Sequence, residues 1–209
     1  MQPASLGPIL IIAVSLIQVN ACEAQSDQDK TQKEEESNEG QTQLNLVLQD
    51  RPQLRTAVQK GSPIWKWLLA AFSDKSTGIR IYWDSRPTST NNPDRAESHF
   101  PDNTKSVYIR VDRVYKTGSS KGLNLSSEEI LSGLVFELNN DKQWANNQRL
   151  SALAETGKIS REDYILSCAK TEFIASDETA DFYKTIWVPF CQSNGLPFTA
   201  IPQVEVKSA

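Results

Sequence analysis

The chain has 209 residues, and 22 Lys and Arg against 26 Asp and Glu give it a formal net charge of −4, with a single histidine. This near-neutral balance excludes a typical nucleic-acid-binding surface, which needs basic side chains to neutralise phosphates. One histidine cannot build a His-based zinc site. A hydrophobic content of 38% is enough for one core and excludes a protein with many membrane spans.

The first 21 residues have the pattern of a signal peptide. Residues 8–17 form an apolar run of signal-peptide length, which is too short for a good membrane span. Val19, Asn20 and Ala21 precede Cys22, and this stretch resembles a bacterial lipobox, in which the cysteine is lipid-modified and becomes the new N-terminus. The resemblance implies an exported lipoprotein, attached to a membrane of the cell envelope through Cys22, with ordinary secretion as the alternative.

The net negative charge comes from one segment. Residues 23–43 carry seven acidic and two basic side chains, a net charge of −5, whereas residues 44–209 have a net charge of +1. The acidic segment has no aromatic or branched aliphatic residue, so it cannot bury enough apolar surface to offset the entropy lost on ordering. We therefore predict a disordered acidic tether at residues 22–43 and a single globular domain at residues 44–209.

The first half of this domain combines a helix with two short strands. Ser62 as N-cap and Pro63 at the first helical position predict a helix start, followed by apolar side chains on one face. Residues 79–83 and 107–112 alternate apolar and polar side chains, which predicts two strands. Residues 84–105 are rich in Pro, Asn, Asp, Ser and Thr, which predicts a long loop between them.

Two long helices are predicted to follow. Ser126 and Glu129 have the spacing of a capping box, and this helix is expected to run to about residue 147. Ser160 caps a second helix, which is expected to end before Pro189. The order of elements predicts an α+β fold, with a small antiparallel or mixed sheet followed by two long helices.

The first of these helices has an unusual second face. Its core face is conventional and consists of Ile130, Leu131, Leu134, Val135 and Leu138. Lys and Glu would be usual on the opposite face, but it carries Gly133, Phe136, Glu137, Asn140 and Trp144. We therefore predict that something packs on this second face or binds there, which makes these side chains candidate binding residues.

Glu172 falls near the centre of the apolar stripe predicted for the last helix. That stripe consists of Tyr164, Ile165, Cys168, Ala175, Phe182, Tyr183 and Ile186. A lone carboxylate in apolar surroundings is costly unless it is paired, hydrogen-bonded or protonated. Three interpretations stay open, namely a structural ion pair, a kink near Ser176 that exposes Glu172, and a functional carboxylate in a cleft.

The stretch from Gly133 to Asn140 resembles the active-site helix of the zincin metallopeptidases. In that family, the HExxH motif places two zinc-binding histidines one turn apart, with the glutamate as general base. Phe136 and Asn140 occupy the two histidine positions here, and Glu137 occupies the position of the base. The resemblance therefore implies a degenerate site.

The same resemblance gives roles to two neighbouring elements. Zincins of the thermolysin type take a third zinc ligand from a glutamate on a following helix, and Glu172 could match that position. The strand at residues 106–112 would match the edge strand that lines the substrate cleft. Because both histidines are replaced, we predict no zinc, no other cofactor and no zinc-dependent peptidase activity.

Cys168 and Cys191 are the two cysteines that remain after Cys22. A helix that is continuous from residue 168 to residue 187 would rise about 28 Å, at about 1.5 Å per residue. The four following residues could return at most about 14 Å, so the two Cα atoms would stay beyond the roughly 7 Å limit for a disulfide. The long helix and the disulfide exclude each other, and we favour the helix.

Three hypotheses for function follow. The first is an exported, membrane-tethered, non-catalytic module that binds an unknown protein or small molecule in the groove beside Glu137. The second is a metal-independent hydrolase, such as a cell-wall glycosidase, that uses Glu137 and Glu172 as an acid/base pair. The third is a purely structural envelope lipoprotein. We favour the first hypothesis, in which the protein is not an enzyme.

Overall fold

The elements of the fold are seen in a computed structural model that describes residues 38–86, 96–99, 105–116 and 118–198. The predicted signal peptide, Cys22 and the first part of the predicted tether lie outside these residues. The described elements, in chain order, are α1 (38–50), a 3-10 turn (Pro52–Leu54), α2 (Pro63–Ser73), β1 (Arg80–Trp83), β2 (Ala96–His99), β3 (Ser106–Val111), α3 (Ser127–Asp141), α4 (Trp144–Glu155), α5 (Arg161–Phe182), a π-helical turn (Tyr183–Trp187) and α6 (Val188–Asn194).

The three predicted helix starts are confirmed by their caps. The Ser62 hydroxyl accepts a hydrogen bond from the backbone N–H of Trp65, and Ser160 caps α5 in the same way. At α3 the full capping box is present, because Ser126 accepts from the Glu129 N–H while the Glu129 carboxylate accepts from the Ser126 N–H. Each cap satisfies backbone N–H groups that have no partner inside the helix.

The sheet is mixed, which is one of the two predicted arrangements, and its strand order is β1-β3-β2. β1 pairs with β3 in parallel, with Ile81 opposite Val107, and β2 pairs with β3 antiparallel, with Ser98 opposite Ile109. β2 was not predicted, because its sequence lies in the polar segment expected to be a loop. The strand at residues 106–111 is therefore central, and the expectation that it forms an edge is wrong.

The N-terminal boundary of the domain lies earlier than residue 44. Residues 38–43 belong to α1, where Gly40 and Gln43 are buried. The Gln43 side-chain oxygen accepts a hydrogen bond of 2.9 Å from the backbone N–H of Trp83, so α1 provides a partner for one backbone N–H of β1. Contacts with the sheet, which local composition does not reveal, thus order residues that were predicted to be disordered.

Arg51 fixes the end of α1 against the sheet. It is 1% exposed, and its guanidinium donates two hydrogen bonds to the carbonyl oxygen of Val111 and others to Asp50. The same group lies 5.0 Å from the centre of the Trp83 ring. Burial lowers the pKa of Arg51, and the charge of Asp50 opposes that change.

The predicted long helix from Ser126 is two helices. α3 ends at Asp141, and α4 begins at Trp144 after a short turn. The turn follows Asn139, Asn140 and Asp141, residue types with low helix propensity. The prediction of two long helices after the sheet is therefore wrong in number, although the α+β class is confirmed.

The last helix continues past Pro189, contrary to the prediction. A π-helical turn at Tyr183–Trp187 joins α5 to α6, and Pro189 lies in the first turn of α6. Proline cannot donate a backbone hydrogen bond, and the π-helical turn directly before it changes the bonding pattern at that point of the helix. The helix is thus unbroken between Cys168 and Cys191, and both cysteines are free, as the helix argument predicted.

The core lies between the sheet and the helices. Ile81, Val107 and Ile109 of the sheet and Ile130, Leu134 and Leu138 of α3 are all nearly inaccessible to solvent. The alternation of buried and half-buried residues along β3 leaves the other side of the sheet polar. None of the helices among the described residues is both long enough and apolar enough to cross a membrane.

Candidate functional site

α3 is the central helix of the domain, and both of its faces are packed. It contacts β2 and β3 on one side and α5 on another. A Cβ added at Gly133 would lie 3.1 Å from the Cβ of Ala96 on β2 and 3.4 Å from Cγ1 of Val111 on β3. The second face therefore meets the sheet at Gly133, which accounts for the small residue at that position. Of the other candidate binding residues, Phe136, Asn140 and Trp144 are half-buried, and Trp144 packs on the core.

Glu137 lies beneath β2 and is 6% exposed. The Ser98 hydroxyl of β2 donates a hydrogen bond of 2.6 Å to its Oε2 atom. This short, charge-assisted bond compensates part of the cost of burying the carboxylate. The arrangement differs from the open cleft that a general base at this position would need.

Asp141 follows Glu137 by one helical turn, and sequence reasoning did not select it. It is 2% exposed, and burial raises its pKa well above the ordinary value of 3.8. The negative charge of Glu137 raises the pKa further, while a hydrogen bond with Ser98 opposes the rise. The protein thus favours the protonated form of Asp141. The sequence did contain a signal for this pair, because two acids spaced i, i+4 on one helix lie close together.

Two side-chain oxygens at this site are buried and have no hydrogen-bond partner among the described residues. They are Oδ1 of Asn140 and Oδ2 of Asp141. No group of three or more His, Cys, Asp or Glu side chains that could hold a metal ion occurs in the described part of the chain. Glu137, Asp141 and Ser98 form a buried polar contact between α3 and β2.

Glu172 is exposed, and the prediction that it lies in the buried stripe of α5 is wrong. The buried residues of α5 are Thr171, Ala175, Thr179 and Phe182. Asn139 of α3 donates a hydrogen bond of 3.1 Å to Thr179, which places α5 on a different side of α3 from β2. Glu137 and Glu172 therefore do not face each other across a cleft.

The predicted stripe failed because much of α5 before Ala175 is poorly covered. Ile165, Leu166 and Phe173 are 50%, 55% and 62% exposed. Periodicity identifies an apolar face, but the residues that are actually buried form a stripe rotated by about 30° from it, at 100° per residue. Glu172 lies at the exposed margin of that stripe, so hydrophobic pattern alone placed it too near the centre.

A pocket of about 410 Å³ opens at the start of α3. We call it the Trp187 pocket, and its lining residues are Gln53, Thr56, Ala57, Ser126, Ser127, Glu128, Trp187, Leu196, Pro197 and Phe198. They come from three distant parts of the sequence, so no local motif could reveal the pocket. Only the packing of the chain after α6 against the start of α3 brings them together.

Hydrogen bonds around Glu128 hold the wall of this pocket. The Trp187 indole Nε1 donates to Glu128 Oε1 at 3.1 Å, and the Tyr183 hydroxyl donates to the Glu128 backbone oxygen at 3.0 Å. The Ser127 hydroxyl donates to the backbone oxygen of Gln53 at 2.8 Å. Burial and the nearby charge of Glu128 both raise the pKa of the Cys191 thiol.

The comparisons with known proteins do not assign the chain to a family. No protein-family model, no curated protein and no solved structure matches it. The function is therefore argued from the two sites above, the buried contact at Glu137 and the Trp187 pocket.

Proposed function

We propose that the protein is an exported binding module, tethered to a membrane of the cell envelope through Cys22, that holds an apolar small molecule in the Trp187 pocket. The pocket carries this proposal. Its volume of about 410 Å³ falls within the roughly 300–1,000 Å³ that is usual for small-molecule sites. Ala57, Leu196 and Phe198 give it apolar walls, and a few polar groups lie at the start of α3, as is typical of such sites.

A non-catalytic role is favoured by the positions of the acidic residues. A glycosidase needs two carboxyl groups about 5–9.5 Å apart across an open cleft. Glu137 is buried against Ser98, and Glu172 is exposed on α5. We therefore do not propose the hydrolase that would use this pair.

The relationship to the zincins stays a separate proposal, which rests on the order of elements. Its support is that β2, an antiparallel strand at the edge of the sheet, lies beside the helix that carries Glu137. Replacement of both histidines by Phe136 and Asn140 predicts a protein without zinc. Metal analysis of dialysed protein tests this, and stoichiometric zinc would contradict it.

Binding in the Trp187 pocket is tested by fluorescence titration with the neutral apolar probe N-phenyl-1-naphthylamine. We expect saturable binding to the wild type. Thr56→Phe should weaken it at least tenfold, because Thr56 is an exposed residue of the pocket wall and the ring would fill the cavity. Thr42→Phe on the exposed side of α1 is the matched control and should bind as the wild type does. A wild type without saturable binding would favour the purely structural lipoprotein.

The anchor is tested independently by labelling expressing cells with radioactive palmitate. We expect the wild-type chain to incorporate the label and Cys22→Ala to lose it. A wild type that takes up no label would contradict the lipoprotein, while leaving the binding proposal intact.

A further inference from the structure

α5 has an apolar face that points away from its buried stripe. The face consists of residues spaced alternately three and four positions apart, namely Leu166, Ala169, Phe173, Ser176 and Ala180. We call it the outer face of α5. Leu166 and Phe173 are 55% and 62% exposed, and Ile165 at its margin is 50% exposed. Three large apolar side chains exposed together on one helix are typical of an interaction surface.

The spacing of the outer face suits a second helix. Steps of three and four residues are the repeat with which two helices pack side by side, each side chain inserted between those of its neighbour. Leu166 and Ala180 are equally far from Phe173 along α5. Two antiparallel copies aligned at Phe173 therefore place the large Leu166 of each copy opposite the small Ala180 of the other. The face is thus complementary to itself.

The charges on one edge of the outer face fit the same alignment. Lys170 and Asp177 are both exposed on this edge, and neither forms an ion pair with another side chain in the described part of the chain. They lie at equal distances on either side of the Phe173–Ile174 step. In an antiparallel pair each edge meets the same edge of the other copy. Lys170 of each copy therefore faces Asp177 of the other, which forms two ion pairs.

The charge of α5 favours a protein over a lipid surface as the partner. The exposed charged side chains of this helix are two basic and five acidic, namely Arg161, Lys170, Glu162, Asp163, Glu172, Asp177 and Asp181. Helices that lie on membranes instead carry Lys and Arg on their polar face, because cellular lipid surfaces are anionic. An acidic helix is repelled by such a surface, whereas a second copy offers matching charges.

We propose that two copies of the chain associate through the outer faces of α5, antiparallel, with a two-fold axis beside Phe173. The two Phe173 rings meet at the axis, and Lys170 pairs with Asp177 on one edge. The contact is limited to one helix from each copy, so we expect a reversible dimer with a dissociation constant of roughly 1–100 μM. The surface includes none of the residues that line the Trp187 pocket, so the dimer goes beyond the proposed function.

Sedimentation equilibrium of the full chain at several concentrations tests the surface. We expect the wild type to dimerise and Phe173→Ala to weaken association at least tenfold, because an aromatic residue at the centre of a contact contributes most to affinity. Leu123→Ala is the matched control, since Leu123 is a 61% exposed apolar residue outside α5. It should dimerise as the wild type does. The N-terminal segment is the same in every variant, so differences between variants report on the substituted position.

Charge exchange tests the antiparallel alignment. Lys170→Asp and Asp177→Lys should each weaken association about tenfold, because two attractive contacts become repulsive, and the double exchange should restore it. Lys60→Asp, an exposed site outside α5, makes the same charge change and should have no effect. On the other edge Glu172 faces its own counterpart near the axis, so Glu172→Gln should tighten association about two- to threefold. Circular dichroism confirms that the variants are folded.

Each contrary outcome overturns a defined part of the proposal. A wild type that stays monomeric at all concentrations would overturn the dimer. A dimer that Phe173→Ala leaves unchanged would overturn the assignment to the outer face. A double exchange that does not restore association, or weaker association of Glu172→Gln, would overturn the antiparallel alignment. A monomeric wild type that binds vesicles of phosphatidylcholine and phosphatidylglycerol, and loses this in Phe173→Ala, would assign the face to a membrane. None of these results affects binding in the Trp187 pocket.

Discussion

The Ser98 hydroxyl donates a hydrogen bond of 2.6 Å to the Glu137 carboxylate, and this bond joins the edge strand β2 to the central helix α3. Asp141 lies one turn further along α3 and is also buried. The helix face that was predicted to bind a ligand thus has a polar contact with the sheet. This polar contact holds β2 in position on α3, so its role is closer to stability than to catalysis.

Ser98→Ala should destabilise the protein by about 1.5–3 kcal/mol, the usual contribution of a hydrogen bond to a charged group. The variant removes a donor from a carboxylate that is only 6% exposed. Urea denaturation measures the free energy of unfolding. Ser193→Ala on the exposed side of α6 is the control, with an expected change within about 0.5 kcal/mol. Equal effects of the two variants would show that the bond adds nothing to stability.

Asp141→Asn should make stability less dependent on pH. The pKa of Asp141 is raised in the folded protein, so the folded state retains this proton while the unfolded state loses it above the ordinary pKa of 3.8. The contribution of Asp141 to wild-type stability therefore falls as pH rises from about 4 towards its folded pKa. Because Glu137 is nearby, the two carboxyls titrate as a pair.

Urea denaturation at several values between about pH 5 and pH 8 tests this expectation. The asparagine variant should gain stability relative to the wild type as pH rises, because it has no proton whose loss opposes folding. The exposed Asp177→Asn variant is the control and should follow the wild type. Parallel curves for wild type and Asp141→Asn would contradict the raised pKa.

Glu172→Gln should leave the free energy of unfolding within about 0.5 kcal/mol of the wild type, because its side chain is exposed on α5. A buried ion pair at this position would instead cost about 3–5 kcal/mol when broken. Thermal or urea denaturation distinguishes these magnitudes easily. A large loss of stability would mean that α5 packs differently.

Arg51→Met should cost on the order of 1–3 kcal/mol, because the buried Val111 carbonyl loses its guanidinium donors, whereas Asp50 keeps its ion pair with Arg113. Arg51→Lys should recover only part of the loss, since an ammonium cannot replace the planar fork of donors. Arg55→Met, at an exposed arginine nearby, is the control and should change stability by less than about 1 kcal/mol. Similar losses at Arg51 and Arg55 would contradict this role.

Gly133→Ala should destabilise the protein by about 1 kcal/mol, despite the higher helix propensity of alanine. The new Cβ would lie 3.1 Å from the Cβ of Ala96, which is attached directly to the β2 backbone and cannot rotate away. Overpacking of this kind costs about 1–3 kcal/mol, against a propensity gain of up to about 1 kcal/mol. Ala152→Gly in the exposed part of α4 calibrates the propensity difference. A stabilised Gly133→Ala would mean that β2 can move away from α3.

Local sequence predicted the starts of α2, α3 and α5 and the two regular strands well. A cap depends on a few consecutive side chains, so Ser62, Ser126 and Ser160 could be identified without any knowledge of the tertiary structure. The helix ends were harder to predict. The Asn139–Asp141 turn and the π-helical turn before Pro189 depend on how the following residues pack.

The candidate site was predicted only in part. Glu137 was singled out as a candidate site residue on α3, and its partner was taken to be Glu172 on a distant helix. The actual neighbours are Ser98, from a strand hidden in a polar segment, and Asp141, one turn away. Periodicity fixes angles within a helix and contains no information about which neighbouring element covers each face.

The sequence by itself determined the α+β class, three capped helix starts, the alternation of the first and last strands and the separation of cysteines 168 and 191 by a long helix. Each of these follows from residues within a few turns of one another. Only the tertiary structure decided that β2 covers Glu137, that α5 exposes Glu172 and that Glu128 and Trp187 share a pocket. These depend on contacts between residues about 40 to 60 positions apart, which arise when apolar faces are buried together and which no local pattern encodes.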